Sequence, residues 1–317
     1  MTQQQRVGPL AEWALMALIT AALGALAIIN LPVKFLFDFA WGIPIIMVIK
    51  RHDMRVGVLT LFTAFFLTWL FTEPLLTGLL FLELAPLALV FGLLFKKEAP
   101  AGRTLLTGAA VSALSATALI LVLFSISPAQ IMPDEGILRR QAELVTALYM
   151  KMGLMNAGDA RHFAEIGISM APIFIPGSFI ISAILRALIT YLLTTRVMRR
   201  LTYRVDPLPP FSQWRLPWYS VWLFIGGLGL TLIGDHYRVY NLGLIGKITL
   251  FSVLPLFFTI GLAIFTYFFK SWKIPGWAKA VLALIAVYNW SGSILLFTMA
   301  GLFDPLYSLR FRKKTGE

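Results

Sequence analysis

Two ionisable side chains lie near the middle of otherwise apolar segments. Glu83 belongs to LLTGLLFLELAPLALVFGLLF (residues 75–95), and Arg186 belongs to the later apolar stretch 171–195. A charge at such depth in a membrane costs about 2.5–3.5 kcal/mol on insertion scales, so it usually faces the interior of a helix bundle and has a partner there. We expect Glu83 and Arg186 to be each other's partners. The pair then either binds a polar solute or relays protons, or it is a buried salt bridge that only fixes the helix register.

Further polar side chains accompany these two charges. Residues four positions apart share one face of a helix, and three hydroxyl-bearing residues share the face of Arg186 in this way: Ser178, Ser182 and Thr190. Asp38, near the start of a short apolar segment, and Asn289, in the last one, are able to add acceptors and donors to a cavity. Such side chains also serve simply as helix-packing contacts. The candidate substrate-binding residues are Glu83, Arg186 and Asn289.

No enzyme signature accompanies these residues. The three histidines, His52, His162 and His236, are isolated, and the sequence contains no HExxH, GxSxG or GxxxxGK[ST] motif. Cysteine is absent, which excludes disulfides, thiol nucleophiles and thiolate metal sites. We therefore predict no catalytic residue, no metal site and no cofactor, and a protein that is not an enzyme.

The composition indicates that lipid surrounds these segments. Hydrophobic residues make up 59% of the 317 residues, charged residues make up 13%, and the mean hydropathy is +0.81, whereas soluble domains are about half apolar and a quarter charged. A ninth apolar segment, 36–49, is short and contains Gly42 and Pro44, so it is either a short helix or a broken one. Eight other segments have the length of a membrane span: 10–31, 56–72, 74–95, 104–126, 171–195, 217–234, 248–270 and 278–302.

These segments predict an all-α fold, a polytopic transmembrane helix bundle with eight or nine spans that forms one domain over residues 1–317. The first segment lacks a convincing cleavage site, so we interpret it as the first span and not as a signal peptide. With nine spans, the basic tail would lie outside, against the usual preference of basic residues for the cytoplasm. Either segment 36–49 or the Ser291–Ser293 region of the last segment is therefore expected not to cross.

The net charge of +12 does not indicate nucleic-acid binding, because the basic residues lie at the ends of apolar segments, where they set the topology. Alternation of the spans places most of them on one side, which we assign to the cytoplasm. The nearly neutral loop 127–165 then faces away from the cytoplasm. Within it, apolar residues recur at helical spacing, which predicts an amphipathic helix that lies on the membrane surface or caps the bundle.

The second half of the chain contains sequence elements that resemble a known family. In its closing element, Gly301, Asp304 and Arg310 match the Gly-x-x-Asp-x5-Arg pattern of the YybS-like family of bacterial membrane proteins. Asn241 belongs to a second matching element, and the likeness covers residues 160–314 well and the first half mainly by hydropathy. We interpret Asn241, Gly301, Asp304 and Arg310 as structural residues of this family motif. The matching elements are LPPFSQWRLPW, Asn241–Leu242, FFTIGLAIF and GLFDPLYSLR.

This resemblance implies a distant relation to the substrate-binding subunits of energy-coupling-factor vitamin transporters. Those subunits dock to their energising partner through an Ala-x-x-x-Ala ladder in the first helix, and Ala17, Ala21 and Ala25 are similar to it; such small side chains permit close helix approach. The implied function is that of a small-solute-binding subunit in the bacterial cytoplasmic (inner) membrane, with an ATPase–coupler module as its partner. The alternative is a membrane scaffold or interaction protein of envelope or cell-shape machinery, whose charges only lock the fold.

Overall fold

The computed structural model of the protein describes residues 9–29, 33–126, 134–203, 205–272 and 275–307. Within these ranges the chain is helical and contains no β-strand, so the predicted all-helical class is confirmed. The helices in chain order are α1 (Pro9–Ile28), α2 (Lys34–Ala40), α3 (Ile43–Arg51), α4 (Met54–Phe71), α5 (Pro74–Lys96), α6 (Ala101–Ile126), α7 (Glu135–Lys151), α8 (Ala157–Arg200), α9 (Val221–His236), α10 (Tyr240–Ser271), α11 (Gly276–Tyr288) and α12 (Trp290–Tyr307).

Six of the described helices are long and apolar enough to cross a membrane, namely α1, α4, α5, α6, α8 and α10. The pair α11 and α12 passes the same test only as one broken span, because the chain bends by 102° between them. The predicted number of eight or nine spans is therefore not confirmed. One reason is that α9 has 16 residues and rises by only about 24 Å, against a hydrocarbon core of about 30 Å. Another is the bend at Asn289, which lies beside the Ser291–Ser293 region.

The segment 36–49 forms two short helices, α2 and α3, separated at Trp41 and Gly42. Pro44 lies in the first turn of α3, where its missing N–H removes no helical hydrogen bond. All residues from Pro44 to Ile49 are buried, whereas α2 contains no buried residue. The predicted broken helix thus has an enclosed half and an accessible half.

Glycines on two neighbouring helices make room for α3. A Cβ on Gly57 of α4 would overlap the side chain of Ile49, and a Cβ on Gly92 of α5 would lie 2.5 Å from Ile49 Cδ1. Ile49 itself is completely buried. Because only glycine leaves this space free, α3 packs directly against the backbones of α4 and α5.

The described chain divides into two compact units, and α8 contributes to both. The first unit comprises Met1–Pro128 and Ser182–Leu208. Its core contains Trp41, which is fully buried and meets the ring of Phe81 edge-to-face at 4.8 Å between centroids, and Tyr191 of α8, which is 1% exposed. The contact between Trp41 and Phe81 thus joins the break between α2 and α3 to α5.

The second unit comprises Ala129–Ile181 and Pro209–Glu317. Three of its helices touch through their backbones. A Cβ on Gly234 of α9 would overlap the backbone of α10 at Gly243. Further along α10, Gly261 faces the α12 backbone, and Gly301 of α12 faces the α10 backbone with the same lack of space for a Cβ. The helix contacts of this unit therefore depend on small residues, as is common in membranes.

α7 is the helix that the sequence predicts within the loop 127–165, of which residues 127–133 lie outside the described ranges. Thr146 is its one buried residue, while the side chains of Leu144 and Leu148 are 72% and 59% exposed. An apolar face left open by the protein, beside a charged face, is typical of a helix in the lipid–water interface. The side of the membrane on which α7 lies stays a prediction.

Candidate functional site

Glu83 lies near the middle of α5, a strongly apolar helix of the first unit. The only other charged residue of this helix is Lys96, at its C-terminal end. The neighbouring Leu84 and Leu87 are each 3% exposed, so this part of α5 faces the protein. The helix thus holds one carboxylate away from both membrane surfaces.

Arg186 is held at a comparable depth by α8, which is 44 residues long. Ala183 and Ala187 on either side of it are completely buried, and Arg186 itself is 9% exposed. The Ser112 hydroxyl of α6 donates a 2.8 Å hydrogen bond to the carbonyl of Ala183. Small side chains and this bond bring α8 close to its neighbours and fix the position from which Arg186 extends.

The two charges meet in the first unit. Arg186 Nη1 donates a 2.5 Å hydrogen bond to Glu83 Oε1, and the two side chains are 10% and 16% exposed respectively. Hydrogen bonds between ionised groups are shorter and about twice as strong as neutral ones. The structure therefore brings together the two residues that the sequence predicts to be partners.

The contact leaves binding capacity unused. An arginine carries five N–H donors and an ionised carboxylate two acceptor oxygens, and one donor and one oxygen form this bond. Among the described residues, no other group bonds the Arg186 side chain. The guanidinium and the second carboxylate oxygen therefore keep hydrogen-bonding capacity that the ion pair does not use.

α2 approaches the same part of α8. The Thr190 hydroxyl, one helical turn after Arg186, donates a 3.1 Å hydrogen bond to the carbonyl of Phe39. The preceding residue, Asp38, is partly buried and interacts electrostatically with Arg186 and Glu83. A second carboxylate therefore belongs to the surroundings of the pair.

Of the remaining polar candidates, Ser182 lies in the first unit, and Ser178 and Asn289 lie in the second. Ser178 is exposed and donates a 2.7 Å hydrogen bond to the carbonyl of Ile175 in its own helix. Asn289 is exposed at the bend between α11 and α12, and its backbone N–H bonds the carbonyl of Ile285. A role for Asn289 in solute binding stays a prediction.

The alanine ladder of α1 is largely used within the chain. Ala17 is completely buried and Ala21 is 5% exposed, whereas Ala25 is partly exposed. The Thr68 hydroxyl of α4 lies 3.5 Å from the carbonyl of Ala21. The close approach that small side chains permit is therefore made by α4, and a partner protein would have to displace α4 to contact the whole ladder.

Three of the four family-motif residues lie within the described ranges, two of them packed inside the second unit and one exposed. Gly301 packs against the backbone of α10, and Asp304 is 4% exposed within α12. Asn241 lies exposed in the first turn of α10. Arg310 lies outside the described residues, so its structural role stays a prediction.

A cluster of ion pairs at one end of the first unit was not predicted from the sequence. Glu12 at the start of α1 pairs with Arg51 at the end of α3, and Arg51 Nε donates a 2.9 Å hydrogen bond to the hydroxyl of Tyr203. Lys96 at the end of α5 pairs with Asp53 before α4 and holds the pKa of that carboxyl below its usual range. These contacts gather several helix ends that the sequence assigns to the cytoplasmic side, because ion pairs require their partners to be adjacent. From the sequence, these basic residues indicate only the topology, because spacing along the chain does not show which acidic residue each one pairs with.

Within the described ranges, no three histidine, aspartate or glutamate side chains are arranged to hold a metal ion. The functional candidate of the first unit is consequently a buried ion pair with unused hydrogen-bonding groups, a neighbouring carboxylate and a threonine that ties α2 to α8.

Comparison with known proteins identifies a family for this chain. A family model described as "Predicted membrane protein (DUF2232)" matches residues 18–305. No curated protein and no solved structure matches the chain. The family match supports the membrane assignment and assigns no activity.

Proposed function

We propose, on the premise that this chain belongs to the DUF2232 family of predicted membrane proteins, that it is a small-solute-binding subunit of a membrane transport system. The observation that carries the proposal is the contact between Glu83 and Arg186 in the middle of apolar helices. The resemblance of the closing motif to relatives of energy-coupling-factor substrate-binding subunits supports the same function. The site would bind its solute without covalent chemistry.

Stability alone is a weak reason for such a pair. Removing two charges from water costs several kcal/mol per ion, and replacing a buried pair by apolar residues of similar volume is often neutral or stabilising. The Glu83 and Arg186 side chains also retain 16% and 10% exposure. A pair that is partly accessible and has unused donors is better suited to solute recognition than to fixing the fold.

The energy for transport would come from another protein. The sequence contains no P-loop motif, so we expect this chain not to bind ATP in that way. In our proposal an ATPase with a transmembrane coupler associates with the protein in the bacterial cytoplasmic membrane. The buried state of Ala17 and Ala21 favours a docking surface other than the complete alanine ladder.

Native mass spectrometry of gently extracted protein tests the proposal. We expect the wild type to retain a small molecule that the double variant Glu83→Gln/Arg186→Gln loses. The matched control is Asp235→Asn/Lys247→Gln, which removes an exposed ion pair of the second unit at 2.8 Å and should keep the molecule. Equal occupancy in the wild type and both double variants, or no retained molecule in any of them, would count against a solute site at Glu83 and Arg186.

Co-purification separates this function from that of a scaffold for envelope or cell-shape machinery. An ATPase pair with a transmembrane coupler is the expected partner of a solute-binding subunit. Recovery of cell-wall or division proteins instead, with no retained solute, would favour the scaffold.

A further inference from the structure

Asp38 is an ionisable residue for which the ion pair by itself gives no role. It lies near the end of α2, and the next residue, Phe39, accepts the 3.1 Å hydrogen bond from Thr190. Thr190 follows Arg186 by one turn on the same face of α8. The backbone that carries Asp38 is therefore attached beside the residue that pairs with Glu83.

Asp38 has no direct partner among the described residues. Its side chain forms neither an ion pair nor a hydrogen bond there, and its interactions with Arg186, Lys34 and Glu83 are electrostatic and of longer range. Lys34, one turn earlier in α2, is exposed, so solvent and salt screen its charge. The carboxylate is available to a ligand that reaches it from the accessible half of the broken helix.

The charges of the site do not balance. When all three groups are ionised, the two carboxylates of Asp38 and Glu83 exceed the one guanidinium of Arg186 by one negative charge, and Lys34, the other cation near Asp38, is exposed to screening. Electrostatic attraction is stronger in a poorly solvated site than in water. A positively charged group would therefore be attracted, whereas an anion would be repelled by two carboxylates while Arg186 is already paired.

We propose that Asp38 is the third charged residue of the solute site and that the solute carries a positively charged group, such as a protonated amine, that binds the Asp38 carboxylate. This inference rests on the proposed solute-binding function. The unused N–H groups of Arg186 would donate to a hydroxyl or carbonyl of the same solute. Asp38 thus selects the class of solute, and the Glu83–Arg186 pair orients it.

The test compares solutes that differ in charge and little else. Purified full-length protein is titrated with ethanolamine, ethylene glycol and glycolate at matched ionic strength, and with benzylamine, benzyl alcohol and benzoate as a larger set. Apparent affinities are taken from the shift of the melting temperature. The variants are Asp38→Asn, which removes the charge with little change in shape, Asp38→Glu, which keeps the charge, and Asp235→Asn as a control in the second unit.

We expect at least one amine to bind the wild type more tightly than its neutral and anionic counterparts. Its apparent Kd should rise about tenfold or more in Asp38→Asn, as an interaction with a charged group is commonly worth that much, and should change less in Asp38→Glu. Asp235→Asn should leave the Kd unchanged. The unliganded melting temperature of each variant shows whether it is folded.

The inference is overturned if neither amine binds better than its counterparts, or if amine binding is unchanged in folded Asp38→Asn. Its failure is distinguishable from failure of the proposed function. A neutral or anionic molecule retained in native mass spectra and lost from Glu83→Gln/Arg186→Gln would reject the cationic solute and leave the solute-binding function in place.

Discussion

In the first unit, α5 and α8 meet through an ion pair between Glu83 and Arg186, whereas α10 and α12 of the second unit meet through their backbones at Gly261 and Gly301. Both contacts are solutions to helix association in lipid, where the hydrophobic effect does not favour helix pairing. Glycines achieve close packing without burying charge. The first unit instead buries two opposite charges in a helix contact, and in the proposed function these charges also bind a solute.

The largest effect that this comparison predicts is the loss of one member of the ion pair. Arg186→Gln leaves the Glu83 carboxylate without its partner, and breaking a buried pair in this way costs about 3–5 kcal/mol of stability. Reversible unfolding in mixed micelles measures the change. The control is Arg196→Gln on the same helix, at an exposed residue, for which we expect at most about 0.5 kcal/mol. Equal effects at both positions would remove the distinction between charges of the interior and of the surface.

Replacing Ala21 of the alanine ladder by a larger residue tests whether the ladder packs against α4 of the same chain. Ala21→Leu would push α1 away from α4, and overpacking of this kind costs about 1–3 kcal/mol. Ala22→Leu, at the adjacent exposed residue, should leave the melting temperature nearly unchanged. If Ala21→Leu is equally stable but detaches a co-purifying protein, the ladder is a docking surface and its burial against α4 is not maintained in the membrane.

A smaller methyl insertion tests the glycine contact of the second unit. Gly301→Ala places a Cβ against the α10 backbone, where nothing flexible is able to move away, and we expect a loss of about 1–2 kcal/mol. Gly226→Ala in α9 is the control, because no atom lies within 4 Å of the Cβ position there, and alanine favours helix by up to about 1 kcal/mol over glycine. Thermal unfolding should therefore move in opposite directions for the two variants.

The smallest effect is expected at the exposed pair of Asp53 and Lys96. Lys96 lowers the pKa of Asp53, so its stabilising contribution is present above the ordinary aspartate pKa and is lost as the pH falls through the lowered value of the folded state. Because Asp53 is exposed, Asp53→Asn should change the melting temperature only slightly at neutral pH. Melting curves of the wild type and the variant should converge as the pH falls below the ordinary aspartate pKa of about 4 and through the lowered value of the folded state. A loss of stability in Asp53→Asn as large as that in Arg186→Gln would contradict the expectation that the buried pair contributes more than the exposed one.

Several features of the fold and site follow from the sequence because they depend on local chemistry. The apolar runs indicate membrane helices, the depth of Glu83 and Arg186 predicts that they pair, and Gly42 and Pro44 predict the break between α2 and α3. The apolar runs and the break each depend on one segment. The pairing depends on two segments, because each has a single charge near its middle.

Other features depend on contacts that spacing does not encode. The small residues of α1 predict a close neighbour but do not identify it as α4, and the charges of Glu12 and Arg51 do not reveal that they pair. Hydropathy also continues through Asn289, so the bend between α11 and α12 does not interrupt the apolar run from which a span was predicted.

A double-mutant cycle over Glu83 and Arg186 tests the account most directly. The stabilities of the wild type, Glu83→Gln, Arg186→Gln and the double variant are measured under one condition, and their combination isolates the coupling between the two side chains from the separate cost of each substitution. We predict a favourable coupling of about 0.5–3 kcal/mol, the range typical of residues in contact, with the double variant recovering part of the loss of each single variant. Coupling indistinguishable from zero would contradict the pair and, with it, the solute site built on it.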